Sequence, residues 1–313
     1  MSGLAVVFWK ELADYFGSRR FIILFLLILI IGLASVYAAG QTINEELTRA
    51  PTEFVFLRLF TSQSGALPSF IALLSLIGPL IGIILGFDAI NSEHSRGTAS
   101  LVLAQPLFRD SWINGKFTAG LATLAIMLIS IIMIISGMGL NMLGFGPTGE
   151  ELLRIGTFFV MGVLYIGFWL SLGILFSVIF RNTTSSALAS IAVWAFFALF
   201  MYMFAGLIAD QMAPIGPQAG AEAWIRHEQI QDMIMRISPT TLFAEATTGV
   251  LVPSYRGLGL VALVSEAEIP TNPLSLGQSL LIVWPQLVSI IALAGACFAV
   301  SYAVFMRQEI RST

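Results

Sequence analysis

The sequence predicts an all-α membrane protein: six spanning helices, an interfacial amphipathic helix ahead of them, and a helical extracytoplasmic loop between spans five and six. Three observations carry this. Only 11% of the 313 residues are charged, against roughly 25% in soluble domains. Six uncharged runs each approach or exceed the roughly 20 helical residues that a hydrocarbon core of about 30 Å requires. The segments joining those runs sort by charge into a basic set and an acidic set.

Residues 1–20 come first. Leu4, Phe8, Leu12 and Tyr15 or Phe16 recur at helical spacing, with Lys10, Asp14 and Ser18 on the other face. This is the pattern of a helix lying in the membrane interface, with Arg19 and Arg20 fixing the turn into the first span. The small residues at 34–39 would suit signal cleavage, but the preceding stretch is too long and too patterned for the basic region of a signal peptide. The spans are Phe21–Ala39, Leu67–Phe87, Phe117–Met142, Ile155–Phe180, Ala187–Ile208 and Ser279–Phe305.

An even number of spans places both termini on one side. That side collects Lys10, Arg19, Arg20, Arg96, Arg109, Lys116, Arg181, Arg307 and Arg311, while the other holds six arginines in nearly twice the length and twelve of the eighteen acids. The bias toward Lys and Arg assigns both termini to the cytoplasm of a multi-pass protein of the cell (inner) membrane. Residues 1–313 then form a single transmembrane domain, with a cytoplasmic loop at 88–116 and an extracytoplasmic insertion at 209–278.

Within these boundaries no span carries a carboxylate, histidine or lysine, so the usual intramembrane proton relay is missing and energy must come from elsewhere. Arg154 and Asn141 sit at outer span ends, where a side chain can snorkel to water. Gly78, Gly82 and Gly86 recur every fourth residue around Pro79, giving the second span a bare face for close helix packing. Ala292, Gly295, Ala296 and Ala299 make a similar face in the last span.

Motifs for chemistry are lacking. Gly115-Lys116 is followed by Phe117, and Asp110 stands where a phosphate-binding loop needs its first glycine. His227-Glu228 opens like a zinc-protease helix, but Gln231 replaces the second histidine. There is no nucleophile elbow. The single cysteine, Cys297, rules out an intrachain disulfide framework, and the net charge of −3 gives no reason to expect nucleic acid. The chain is expected to have no catalytic, metal or cofactor site of its own.

The insertion between spans five and six is too long for a structureless connection. A helix is expected over Ala221–Ile237, with Trp224, Ile225, Ile230, Met233, Ile234 and Ile237 on one broad face. A second starts at Ser238-Pro239 and stops at Gly249. These helices either dip into the outer leaflet or cap the outer loop at 40–66. The acids Asp210, Glu222, Glu228, Asp232, Glu245, Glu266 and Glu268 are expected to form a solvated face.

The segment FDAINSEHSRGTASLVLAQP is the only long cytoplasmic stretch between spans, so contact with anything inside the cell falls there. Gly97 supplies a special backbone conformation, Thr98 a cap, and residues 99–104 a short helix that Pro106 ends. Glu93, Gly97, Thr98, Leu101, Leu103, Pro106, Arg109, Gly115 and Lys116 spell a string that resembles the first cytoplasmic loop of type-2 ABC exporter permeases. Lys10-Glu11-Leu12, the run from Met161 to Ala187, and Ser238-Pro239 extend the resemblance over nearly the whole chain. It is nearest to the NosY-like six-span branch, from which it departs at His94, Ser95 and the length of the outer loop.

The resemblance implies a permease subunit paired with a second copy or paralogue and two separate nucleotide-binding ATPase subunits. ATP and magnesium would be bound there and not here. It further implies that the loop forms a coupling helix docking on the ATPase, with Glu93 and Arg96 as charge contacts, Leu101 and Val102 as packing contacts, and Arg181, Asn182 and Thr183 as a second contact. An alternative is a scaffold or mechanotransmitting permease that passes ATP-driven motion to an extracytoplasmic protein.

Overall fold

The computed structural model describes residues 3–47, 53–65, 67–95, 108–215, 220–255 and 273–308. Among these, every regular element is a helix: α1 (Gly3–Gly17), α2 (Arg19–Leu47), α3 (Val55–Thr61), α4 (Phe70–Gly86), α5 (Asn91–Ser95), α6 (Arg109–Leu143), α7 (Gly149–Ile179), α8 (Thr183–Ala195), α9 (Met201–Met212), α10 (Ala221–Met235), α11 (Pro239–Leu251) and α12 (Leu276–Arg307). A π-turn, Phe196–Phe200, joins α8 to α9. Six helical segments are long and apolar enough to cross a membrane, and the six expected runs fall on them.

The helices run past the apolar runs because nothing in the flanking sequence breaks them. Thus α2 continues to Leu47, and α6 begins at Arg109, eight residues before the expected span. Termination comes from local signals. A capping box opens α7, in which Thr148 Oγ1 accepts from the Glu151 amide and the Glu151 carboxylate accepts from the Thr148 amide. Gly144, at φ 77°, ends α6 in the left-handed conformation.

The packed centre is α4 against α7. A Cβ on Gly82 would stand 2.5 Å from the Ile166 carbonyl oxygen, and one on Gly86 2.6 Å from that of Leu170, so the two backbones touch where no side chain could intervene. Around this contact Phe60, Phe70, Phe158, Phe243 and Tyr165 form a fully buried aromatic cluster. The small-residue face of α12 is different: nothing lies within 4 Å of a Cβ placed on Gly295. Most of α8, the π-turn, α9 and α12 turns apolar side chains outward, Leu199, Tyr202, Met203, Leu207, Leu281 and Trp284 among them.

Helix α1 has three faces, not two. Val7 and Glu11 are buried against α6, with Val7 filling the space above Gly115. Val6, Trp9 and Phe16 point away from the protein, and Lys10 and Asp14 pair with each other at 3.3 Å. Tyr15, expected on the outward apolar face, turns inward and donates its hydroxyl to the Leu85 carbonyl at 3.2 Å.

The described residues of the 209–278 insertion fold back on the bundle. Its helix α10 folds back along α9, with Gln231 beside Gly206 and the His227 Nδ1 3.1 Å from the Ala213 carbonyl oxygen. Helix α11 then starts deep in the bundle, where Phe243 stacks on Tyr165 at 4.2 Å, midway along α7. Its far end returns to the rim, where the Val250 carbonyl meets Arg154. Among the described residues α11 packs on α7, α12 and α4 and also on α3 of the outer loop, and it runs to Leu251, past Gly249.

Candidate functional site

Two polar constellations stand out, one at each end of the bundle. The first lies at the end carrying both chain termini. Lys116, in the second turn of α6, has a side chain only 4% exposed. It donates to Glu11 of α1 at 2.7 Å and to Glu93 of α5 at 2.8 Å. Lys10 adds a second cation, 2.8 Å from the Glu11 carboxylate. Burial works against ionising Glu11, but Lys116 and then Lys10 outweigh it and hold its carboxyl below the ordinary value. Burial also opposes the charge on Lys10, and its contact with Glu11 more than restores it, so its pKa is raised. A charged network therefore joins α1, α6 and α5.

The stretch from Phe87 to Asn91, which leads into α5, is tied to the end of α7 and the start of α8. Ser177 Oγ accepts from the Ile90 and Asn91 amides, Asn91 Nδ2 donates to the Phe180 carbonyl, and Ser186 Oγ donates to the Phe87 carbonyl at 2.8 Å. Asn182 caps α8 through the Thr184 amide, while Arg181 is exposed beside it. Arg109 donates to the Gln308 carbonyl at 3.0 Å and so binds α6 to the end of the last span.

Of the residues expected to dock a partner, Glu93 is turned onto Lys116, and Arg181, Asn182 and Thr183 stand next to the base of the 88–95 stretch. Arg96, Gly97, Thr98, Leu101 and Val102 lie outside the described residues. Gly78, Gly82 and Gly86 face α7 and not this end. The sequence reading missed Glu11 and Lys116 as a pair; a basic and an acidic residue that each interrupt an apolar helical face were the available signal.

The second constellation centres on Arg154, which is fully buried and not snorkelling. Its guanidinium donates to Glu150, to the Val250 carbonyl at 2.6 Å, to Ser279 Oγ at 3.2 Å and to the Leu274 carbonyl. The sequence hides these acceptors because they are mostly backbone oxygens from distant segments. Glu245 likewise departs from the expected solvated face. It is bound by Arg236 and by Gln286 of α12.

Between these ends, a cavity of about 370 Å³ opens among α3, α4, α11 and the π-turn. Thr61, Ser69, Ser75, Thr240 and Thr248 contribute hydroxyls to an otherwise apolar lining, and Ala198 of the π-turn closes one side. Trp194 Nε1, donating to the Leu76 carbonyl at 3.1 Å, holds span five beside it. Such π-turns are often found at functional sites.

Comparison with known proteins agrees with this architecture. A family model described as "ABC-2 family transporter protein" matches residues 5–310. The chain belongs to that family. Among its relatives is the "Probable ABC transporter permease protein NosY" of Pseudomonas aeruginosa, 26% identical over 310 residues, which cover 96% of this chain and 97% of the relative. Another is the protein of the same name from Stutzerimonas stutzeri, 23% identical over 310 residues and 96% of each chain. This ABC-2 chain is thus a multi-pass transmembrane subunit of an ABC transporter.

Proposed function

We propose that this chain is an exporter-type permease driven by separate nucleotide-binding ATPase subunits, with the segment at 96–107 as the lever on which they push. Both termini then face the cytoplasm of the inner membrane, and α1 lies in the inner interface with Val6, Trp9 and Phe16 toward the acyl chains. The observation that carries the reading is the Lys116 network. A push on the 88–107 stretch reaches α6 and α1 together through Glu93, Lys116 and Glu11, and reaches span five through Asn91, Phe180 and Ser186. A rigid-body shift of these elements alters which end of the bundle is open.

In this reading Glu93 transmits force inside the permease, and contact with the ATPase falls to Arg96, Leu101, Val102 and the exposed Arg181. The outward apolar faces of α8 and α9 would be covered by a second copy or a paralogue. Cargo would leave by way of the hydroxyl-lined cavity. That lining holds no charged side chain, which suits a neutral or amphiphilic molecule more than an ion.

The test is co-purification with the neighbouring ATPase followed by coupling. Arg96→Glu together with Arg181→Glu is expected to abolish assembly. Glu93→Gln is expected to leave assembly intact while cutting cargo-dependent ATPase activity by about tenfold, the loss of one charge-assisted bond in the force path. Unchanged coupling in Glu93→Gln would remove the lever role assigned to the network.

A further inference from the structure

We propose that Glu245 is a positioning residue of the outer gate, whose carboxylate fixes one wall of the cavity to the last span. The proposal rests on the permease reading for its meaning, but not for its measurement.

Helix α11 separates two environments. Thr240, Ala244 and Thr248 lie along one side of it and line the cavity. Glu245, one position on from Ala244, faces α12. Its two carboxylate oxygens accept from Arg236 Nε at 3.1 and 3.2 Å, and Oε2 accepts from Gln286 Nε2 at 3.0 Å. Gln286 lies ten residues into α12, about 15 Å from its start at 1.5 Å per residue. Arg236 stands at the turn of the re-entrant hairpin. A carboxylate held this far along α12 is costly to leave unpaired, so α11 can move only if Glu245 exchanges one set of donors for another.

The pattern of satisfied groups points to such re-seating. Gln286 is only 4% exposed, and its amide oxygen is buried without a hydrogen-bond partner among the described residues. The side-chain bonds of Arg236 among those residues all use Nε, so its two terminal nitrogens still have donors to give. A buried unmatched acceptor therefore sits in one cluster with a partly exposed guanidinium that can still donate. A shift of α11 along α12 would bring them together, exchanging one bonded arrangement for another while the opposite side of α11 moves the cavity wall.

The experiment uses the full-length chain with Cys297→Ser and a reporter, Thr248→Cys, in sealed vesicles exposed to a membrane-impermeant maleimide. Adding Glu245→Gln is expected to speed labelling by about tenfold, as expected for loss of a charge-assisted bond. The exchange Glu245→Arg with Arg236→Glu restores the parent rate, because the Gln286 amide can turn its oxygen to the introduced arginine. A purely structural role would not recover on exchange. Should Glu245→Gln fail to accumulate, Gln286→Leu removes only the neutral bond and should speed labelling about threefold.

An unchanged rate in the single variants, or an exchange as fast as Glu245→Gln, overturns the proposal. The readout needs neither ATPase nor cargo. A normal labelling response in a chain that binds no ATPase would therefore sink the transporter reading and leave the latch standing.

Discussion

Lys116 and Arg154 are both buried cations at the ends of long apolar helices, and they are held in opposite ways. Lys116 is a compact charge neutralised by two carboxylates from α1 and α5. Arg154 has one carboxylate, Glu150, and spends the rest of its planar fork on two backbone carbonyls and a serine hydroxyl from three segments. The first arrangement is charge against charge and responds to pH and to the loss of either sign. The second is geometric, and responds to the shape of the side chain. An electrostatic joint thus ties α1 and α5 to α6, and a shaped joint ties the re-entrant hairpin to α7.

The largest effect expected from breaking this contrast is at Arg154. Arg154→Met leaves the Val250 carbonyl and Ser279 without their donor and should cost about 4 kcal/mol, in the range for disrupting a buried charged network. Amide-exchange protection should vanish over 239–251 while surviving over 3–17. Arg154→Lys should lose nearly as much, since an ammonium cannot span the same acceptors; a lysine variant as stable as the parent would show that charge alone suffices.

Next comes Lys116→Met, which removes the buried cation from two acids that are 8% and 14% exposed and leaves them the more exposed Lys10. A loss of about 3 kcal/mol is expected, with protection lost over 3–17 and kept over 239–251. Adding Glu11→Gln should recover part of it. No recovery would mean that packing, not charge, holds α1.

Acid should separate the two joints without mutation. The folded-state pKa of Glu11 lies below its ordinary 4.5. Its stabilising contribution is therefore complete above that value and fades as pH falls through the lowered one. Protection of α1, corrected for intrinsic exchange rates, should fall once the pH passes below the ordinary 4.5 and reaches the lowered value, while the part of the Arg154 joint made of carbonyls and Ser279 should not change. Equal loss at both ends would erase the distinction.

The smallest effect is at the root of the hairpin. Tyr165 donates its hydroxyl to the Ser75 carbonyl at 2.7 Å and stacks on Phe243. Tyr165→Phe keeps the stack and should cost about 1 kcal/mol in thermal unfolding. A cost several times larger would place the hydroxyl, and not the ring, in charge of seating α11.

Much of the fold was legible because a bilayer imposes it. Runs such as Phe117–Met142 have no alternative to a spanning helix when every buried amide must be paired. The breakers at Ser238-Pro239 marked the start of α11 for the same local reason. Polar partners were harder to read. Arg154 looked like a snorkelling end residue because its acceptors, the Val250 and Leu274 carbonyls, carry no sequence signature. Glu245 looked solvated because nothing in its neighbourhood announces Gln286, forty-one residues away. Lys116 fell one residue outside the expected span, and its acids lie on two other elements.

Composition and periodicity by themselves determined the all-helical class and the six spans, since each depends on transfer between water and hydrocarbon along a local stretch. Only the tertiary structure decided which faces of those helices meet. It chose Val7 and Glu11 over Leu4 and Phe8 as the inner face of α1, sent the insertion back into the bundle, and turned Glu93 onto Lys116. The physical reason is that in a chain this apolar nearly every face is compatible with lipid, so hydropathy cannot select among them. Close backbone packing at Gly82 and Gly86 and the pairing of a few buried charges make that choice.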